Sequence, residues 1–197
     1  MPGTMPKRPG QRGARRPGMT SETLFRSERL EARALRDGDG EVLQQVFESA
    51  GDYFLPITGR PAPDADAAER EIRSCASTPG REAVILYSTD GEAVGALGWW
   101  EGSPEPDVTL LGMVLIVPAH RGAGRAREAL SALERWLAGR GMTRLRTGVG
   151  AHDDPRQAFL RAIGFAPLDE RTHVSLDRGR MMIGLFEKPI DGGGTDG

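Results

Sequence analysis

The segment Val117-Pro118-Ala119-His120-Arg121-Gly122-Ala123-Gly124-Arg125-Ala126 gathers residue types that bind an anion. A strand-like run ends at proline, small residues let the chain bend tightly, and a helix begins whose first amides have no partner within it. Free N–H groups and the positive end of the helix dipole both favour a phosphate there, and Arg121 and Arg125 add charge at the rim. A nucleotide P-loop would need Gly-Lys-Ser/Thr at the helix start, whereas Arg125-Ala126 follows Gly124, leaving no lysine for terminal phosphates. A dinucleotide loop needs G-x-G-x-x-G. Gly122 and Gly124 fit its first two places, Arg127 occupies the third, and Asp153 beyond the next strand could imitate the ribose-binding acid. A purely structural glycine turn needs no ligand, but would not call for two arginines beside it.

The elements around this loop are read from periodicity. RLEARAL reads as a first strand, and Val42, Leu43, Val46 and Phe47 give an apolar face to a helix from about Asp39 to Ser49. DYFLPITGRPAP reads as a loop, followed by a helix from about Asp64 to Ser77 that Pro79-Gly80 stops. EAVILYS and EAVGALGWW flank Thr89-Asp90-Gly91, a strong hairpin signal. VTLLGMVLIVP is a long apolar strand with Gly112 as a candidate bulge. Ala126, Ala129, Leu130, Leu133, Trp136 and Leu137 form a helical stripe to about Gly139. LRTGV is a short strand, PRQAFLRAI a helix ended by Gly164, and FAPL, HVSL and MMIGLFE read as two or three closing strands. The order predicts an α/β or α+β domain around one mixed sheet, with no internal repeat.

Composition bounds the partners. The chain has 197 residues and a formal net charge of −2, but residues 1–20 hold five basic residues and no acid. Without them 21 basic residues face 28 acidic ones, a net of −7, which argues against general nucleic-acid binding. Four of the 27 glycines lie in residues 1–20 and four in residues 192–197. Residues 1–21 therefore read as a disordered basic head, with Met19 as an alternative start, residues 22–190 as one domain and 191–197 as a flexible tail. Cys75 alone supports neither a disulfide framework nor a thiolate zinc site, and in EREIRSCAS it reads as a small helix residue. No apolar run suggests a membrane span or signal peptide, so the expected location is the cytoplasm.

Arg121-x-x-Gly124-x-Ala126, preceded by LLGMVLIVP and followed by an amphipathic helix, resembles the Q/R-x-x-G-x-G/A pyrophosphate loop of the GCN5-related N-acetyltransferases (GNAT superfamily). Downstream, DDPRQAFLRAIGF resembles the family's N-x-x-A-x-x-L-Y-x-x-x-G-F segment, with Asp153 at the Asn place and Gly164-Phe165 at the end. With the matching element order, the likeness covers roughly residues 24–188. It implies a central, mostly antiparallel mixed sheet with a splayed fourth strand, flanked by about four helices. It further implies that backbone groups of Leu115, Ile116 and Val117 pair with the pantetheine arm of acetyl-CoA as an added strand, while amides of Arg121, Gly122, Ala123, Gly124, Arg125 and Ala126 hold the pyrophosphate. A freed amide near Ile116 would polarise the thioester oxygen.

The implied chemistry is direct acetyl transfer from acetyl-CoA to an amine of a small molecule or protein. Positioning supplies most of the gain, and a base or water relay must deprotonate the amine. Candidate bases are Glu101 and Asp107 beside the third and fourth strands, Asp52 after the first helix, and His152 after the fifth strand. His120 reads as loop packing beside the phosphates, and His173 as a surface strand residue. No His pair has metal-ligand spacing, so no metal is expected. Leu160 stands where many relatives carry the tyrosine that protonates the thiolate, and leucine cannot donate. The rival reading is therefore a catalytically silent acyl-CoA-binding protein of the same fold. Alternation along Trp99-Trp100 should bury one ring and expose the other, against the acceptor pocket or a homodimer contact. Tyr53-Phe54-Leu55 is placed to wall the acceptor site.

Overall fold

The computed structural model describes residues 22–61, 63–176 and 179–190; the head and tail expected from composition lie outside the described residues. The elements run β1 (Thr23–Arg26), β2 (Leu30–Ala34), α1 (Gly40–Ser49), α2 (Gly51–Thr58), α3 (Ala67–Ser77), β3 (Arg81–Ser88), β4 (Ala93–Glu101), β5 (Val108–Ile116), a 3-10 turn (Pro118–His120), α4 (Arg125–Ala138), β6 (Arg144–Gly150), α5 (Asp154–Ala162), β7 (Ala166–Leu176) and β8 (Gly179–Pro189). Among the described residues they build one mixed sheet of eight strands in the order β1-β2-β3-β4-β5-β6-β8-β7, in which only the β5–β6 pair is parallel. The sheet has helices on both faces. One apolar cluster joins Val84, Leu97, Trp99 and Leu111 to Leu130, Leu133 and Leu137 of α4 and Leu160 of α5. The other joins Ile85, Ala96 and Leu115 to Leu43, Val46 and Phe47 of α1 and Ala68 of α3.

Two expectations change. The long apolar strand is the fifth, because Thr23–Arg26 pairs with β2 ahead of it. Four residues are too few to declare a strand by alternation, and it is packing that holds them: the Phe25 ring lies 6.3 Å from Trp99 and 6.1 Å from Trp136. DYFLPITGRPAP is not all loop, since residues 51–58 form α2 despite Pro56. The missing Pro56 N–H is tolerated because the helix is short, ends on Gly59 at φ +71°, and packs Phe54 5.2 Å from Phe47.

The irregularity that matters lies in β5. Gly98 pairs with Met113 and Trp99 with Leu111, leaving Gly112 as an extra residue, a β-bulge. On its other edge β5 pairs with β6 only through residues 108–111, opposite residues 144–147, whereas β6 continues against β8 to Gly150. Thr147 Oγ1, donating to the Leu111 carbonyl at 2.9 Å, marks the last rung. Beyond it β5 and β6 splay apart.

Candidate functional site

The splay opens a cavity of about 350 Å3. Residues 111–116 line one wall, Thr147 and Val149 of β6 with Pro155, Arg156, Phe159 and Leu160 of α5 line the other, and Asp52, Tyr53, Arg121 and Ala126 border its mouth. The Val117 N–H donates to the Val94 carbonyl at 3.0 Å. Strand alternation then turns Leu115 toward β4 as well and leaves the polar groups of Val114 and Ile116 facing the gap. Of the three expected backbone positions, Ile116 faces the cleft, while Leu115 and Val117 are turned to β4. Val114 is the gap-facing position that sequence missed. The bulge at Gly112, which the sequence offered as a candidate, shifts the register, but which edge each residue then faces is settled by the pairing with β4. The Ile116 carbonyl already accepts a 2.7 Å bond from Arg121 Nε.

At the end of the cleft the chain makes the 3-10 turn and enters α4 through Gly122 at φ +78° and Gly124 at φ +77°. These left-handed positions explain the glycines locally. Gly124 is the N-cap of α4, and no side chain caps the helix, so its first-turn amides are open to an anion. Two residues of the β1–β2 turn brace this corner. Arg29 donates from Nε to Glu128 at 2.7 Å and from Nη2 to the Ala123 carbonyl at 3.0 Å, and Ser27 Oγ donates to Glu128 at 2.7 Å. Burial alone would raise the Glu128 carboxyl, but the Ser27 and Arg29 hydrogen bonds outweigh it and hold its pKa below the ordinary range. Nothing in the spacing of Arg29 and Glu128, 99 residues apart, announces this brace. His120 meets Glu92 at 3.1 Å, and its carbonyl accepts from Arg125 at 3.3 Å.

The candidate bases separate. Glu101 and Asp107 do not reach the cleft, a correction that follows from strand direction. Glu101 pairs with Thr109 and Asp107 precedes β5, so both lie at the end of the sheet opposite the splay. Glu101 is bound by Arg140 at 2.9 Å. Asp107 is held by Arg144 and Thr143, which bring its pKa down to about 2. Asp52 does reach the mouth, where Arg121 grips it with two bonds of 2.5 and 2.9 Å. That guanidinium keeps the Asp52 carboxyl below its usual pKa, which suits a latch better than a base. His152 is exposed beside the adjoining hollow lined by Asp52, Gly150, Asp153 and Arg156. Asp153 caps α5 by accepting from the Arg156 N–H at 3.2 Å, and Arg156 Nη1 meets its carboxylate at 3.1 Å, so its charge is answered locally. Leu160 is buried in the core cluster and lines the cleft, offering no proton.

Tyr53 occupies the junction between the cleft and a second cavity, of about 580 Å3, on the opposite face of β5. Its hydroxyl reaches the Gly112 carbonyl at 3.5 Å, and Arg156 lies 5.2 Å from its ring centre. Burial, aided by the Glu71 carboxylate and opposed by Arg156, pushes its phenol up to about 12. Trp99 is buried at 2% exposure and Trp100 is 38% exposed on the second cavity, as alternation required. The Cys75 thiol, raised to about 11 by burial and Glu71, stays protonated. Among the described residues no group of three His, Cys, Asp or Glu could hold a metal ion, and no helix is long and apolar enough to cross a membrane.

An eight-stranded mixed sheet, splayed beside a bulge and ending on an uncapped helix, defines the class of protein. The pattern of the acetyltransferase (GNAT) family matches residues 43–165, and the chain belongs to that family. An acetyltransferase from Thermus thermophilus is 28% identical with a TM-score of 0.65, over 87% of this chain and 99% of that one. A probable GNAT-family acetyltransferase from Chromobacterium violaceum is 21% identical with a TM-score of 0.72, over 98% of each chain. A spermidine N-acetyltransferase from Vibrio cholerae, in complex with CoA and spermine, is 13% identical with a TM-score of 0.63, over 82% of this chain and 95% of that one. A search of curated proteins finds no match.

Proposed function

We propose that the protein is an N-acetyltransferase that moves an acetyl group from acetyl-CoA to a primary amine of a small molecule or a protein by direct attack on the thioester. The observation that carries this reading is the half-paired edge of β5 running into the uncapped start of α4. An extended, amide-bearing arm satisfies the polar groups of Val114 and the Ile116 N–H as an added strand would. The open amides from Gly122 to Ala126, with the helix dipole behind them, suit the pyrophosphate. The apolar wall of Val149, Phe159 and Leu160 suits the methylene parts of the arm.

Acetyl-CoA supplies the activated acyl group, and the protein's share is alignment. The Ile116 N–H faces the gap where a thioester oxygen would gain negative charge. A bound amine at neutral pH is mostly protonated, its pKa being near 10, so its proton must leave. Asp52 at the mouth is engaged by Arg121, so of the sequence candidates His152, exposed beside the adjoining hollow, is the one left to take the proton, through solvent. With Leu160 in place of a donor, the departing thiol relies on its own acidity, a pKa of about 8.5, and leaves as thiolate.

Leu160 also favours the second reading, a silent acyl-CoA-binding protein. Calorimetric titration with acetyl-CoA tests what the readings share, and absence of binding at high micromolar concentration removes both. Thiol release with a panel of primary amines then separates them. Release above the hydrolytic background is expected; binding without release across the panel would leave the silent protein.

A further inference from the structure

We infer that the second cavity is the acceptor site and that it takes a monoamine carrying an uncharged apolar group, preferably aromatic, with Glu71 receiving the amine N–H. The inference rests on the acetyltransferase reading and names the substrate class that such a site admits.

The cavity of about 580 Å3 lies on the α1–α2–α3 face of the sheet, a volume in the range of small-molecule sites. It shares Tyr53, Gly112 and Met113 with the coenzyme cleft, so the two hollows meet at the bulge and nowhere need a passage through the core. The floor is low because it is made of glycine. A Cβ at Gly112 would meet only the Gly98 carbonyl at 3.8 Å, and one at Gly98 would press on Met113 at 3.3 Å. The walls are Phe47, Tyr53, Phe54 and Trp100, and the ring centres of Tyr53 and Phe54 lie 5.2 Å apart.

Charge narrows the class. Glu71 lies beside the floor, with Oε1 3.6 Å from the Cβ position of Gly98, next to the bulge. Both of its oxygens accept from Arg81 Nη2, at 3.1 and 2.9 Å. The Cys75 thiol also donates to Oε1, at 3.8 Å; a carboxylate oxygen has two acceptor sites, so Glu71 retains capacity for one amine N–H, on Oε2, although its net charge is answered. Arg70 is likewise held by Asp64 and Asp66. The charges of the lining are thus matched with partners, and a ligand bringing a second ammonium or a free carboxylate would lose water against the aromatic walls and find no unmatched counter-charge there. An apolar substituent carries no such penalty and gains the aromatic walls.

The test measures acetyl-CoA binding by calorimetry and thiol release with three amines: phenethylamine, spermidine and phenylalanine. Phenethylamine should exceed the other two in kcat/KM at least about tenfold. Trp100→Ala should raise the phenethylamine KM about tenfold with kcat within twofold, since it removes wall and leaves the reacting end in place. Glu71→Gln should do likewise, and both variants should bind coenzyme A within twofold of the wild type, which also reports that they fold. If Glu71→Gln does not fold, the exposed Trp100 carries the test alone. Turnover of spermidine or phenylalanine at an equal or better rate, no thiol release with phenethylamine, or an unchanged KM in Trp100→Ala overturns the inference while leaving the coenzyme reading intact. Failure of the wild type to bind acetyl-CoA strikes the coenzyme reading itself.

Discussion

The two ends of β5 differ in how their polar groups are satisfied. At the closed end, residues 108–111 are paired on both edges, and the flanking carboxylates are matched by arginines: Asp107 and Glu105 by Arg144, Glu105 and Glu187 by Arg146, Glu101 by Arg140. At the open end, beyond the bulge at Gly112, residues 113–116 are paired on one edge only, and the strand groups facing the gap are backbone. At the closed end matched charges hold the structure, whereas at the open end, where Asp52 and Arg121 pair at the mouth, the strand edge leaves backbone groups unpaired for the proposed binding chemistry. A carboxylate near a strand end is thus no guide to function until the strand's direction and its partners are known.

The sharpest way to break this contrast is Gly124→Asp at the open end. Aspartate tolerates the left-handed backbone there better than most residues, and its Cβ would meet little, the nearest atom being Arg29 Nη2 at 3.9 Å. The fold should survive while a negative charge faces the expected pyrophosphate. Acetyl-CoA affinity should fall at least about a hundredfold by calorimetry, and a loss under threefold would mean that the loop is not the phosphate site. Next is Arg146→Ala at the closed end. Arg146 is 11% exposed between Glu105 and Glu187; its loss leaves both to Arg144, at 3.4 and 3.8 Å, and should cost about 1–2 kcal/mol in denaturant unfolding, with coenzyme affinity unchanged. A variant that keeps its stability but loses affinity would reverse the comparison.

A smaller effect is expected at Asp52, where the latch to Arg121 spans both helix α2 and the phosphate corner. Asp52→Asn should tighten coenzyme A binding by a few fold, because Arg121 no longer has a carboxylate to give up, and weaker binding would mean that the latch shapes the site instead. The smallest effects belong to the misplaced bases. Glu101→Gln and Asp107→Asn should leave turnover within twofold and leave its pH profile in place. Asp107 does have an acid signature. Its pKa in the folded chain, about 2, lies below its ordinary value near 4, so its pair contributes stability above about pH 4 that is lost as pH falls through 2. Asp107→Asn should therefore flatten the acid limb of the unfolding curve in that window, and an unchanged limb would show that the pair contributes nothing.

Much of this arrangement was legible along the chain. The β3–β4 hairpin at Asp90-Gly91, the stripe of α4, the burial of Trp99 against the exposure of Trp100, and Gly112 as the bulge all follow from local periodicity or from glycine's freedom. What escaped was non-local. Helix α2 forms because Phe54 finds Phe47, although Pro56 and Gly59 argue for a loop. The brace of Arg29 on Glu128 and Ala123 joins residues about a hundred positions apart. The choice among Glu101, Asp107, Asp52 and His152 depended on strand direction, which residue types do not encode.

By itself the sequence determined the glycine corner at the start of α4, the proposed phosphate site, because it needs only glycines at positive φ and the start of a helix, all within ten residues. It determined the family as well, since two local motifs at the right separation specify it. The tertiary structure alone decided which amides of β5 face the gap and which carboxylates are already matched. It also decided that two cavities meet at Tyr53 and Gly112. Each of these depends on one residue of register or on the meeting of distant side chains, and such energies arise only when the sheet has closed on one side and splayed on the other.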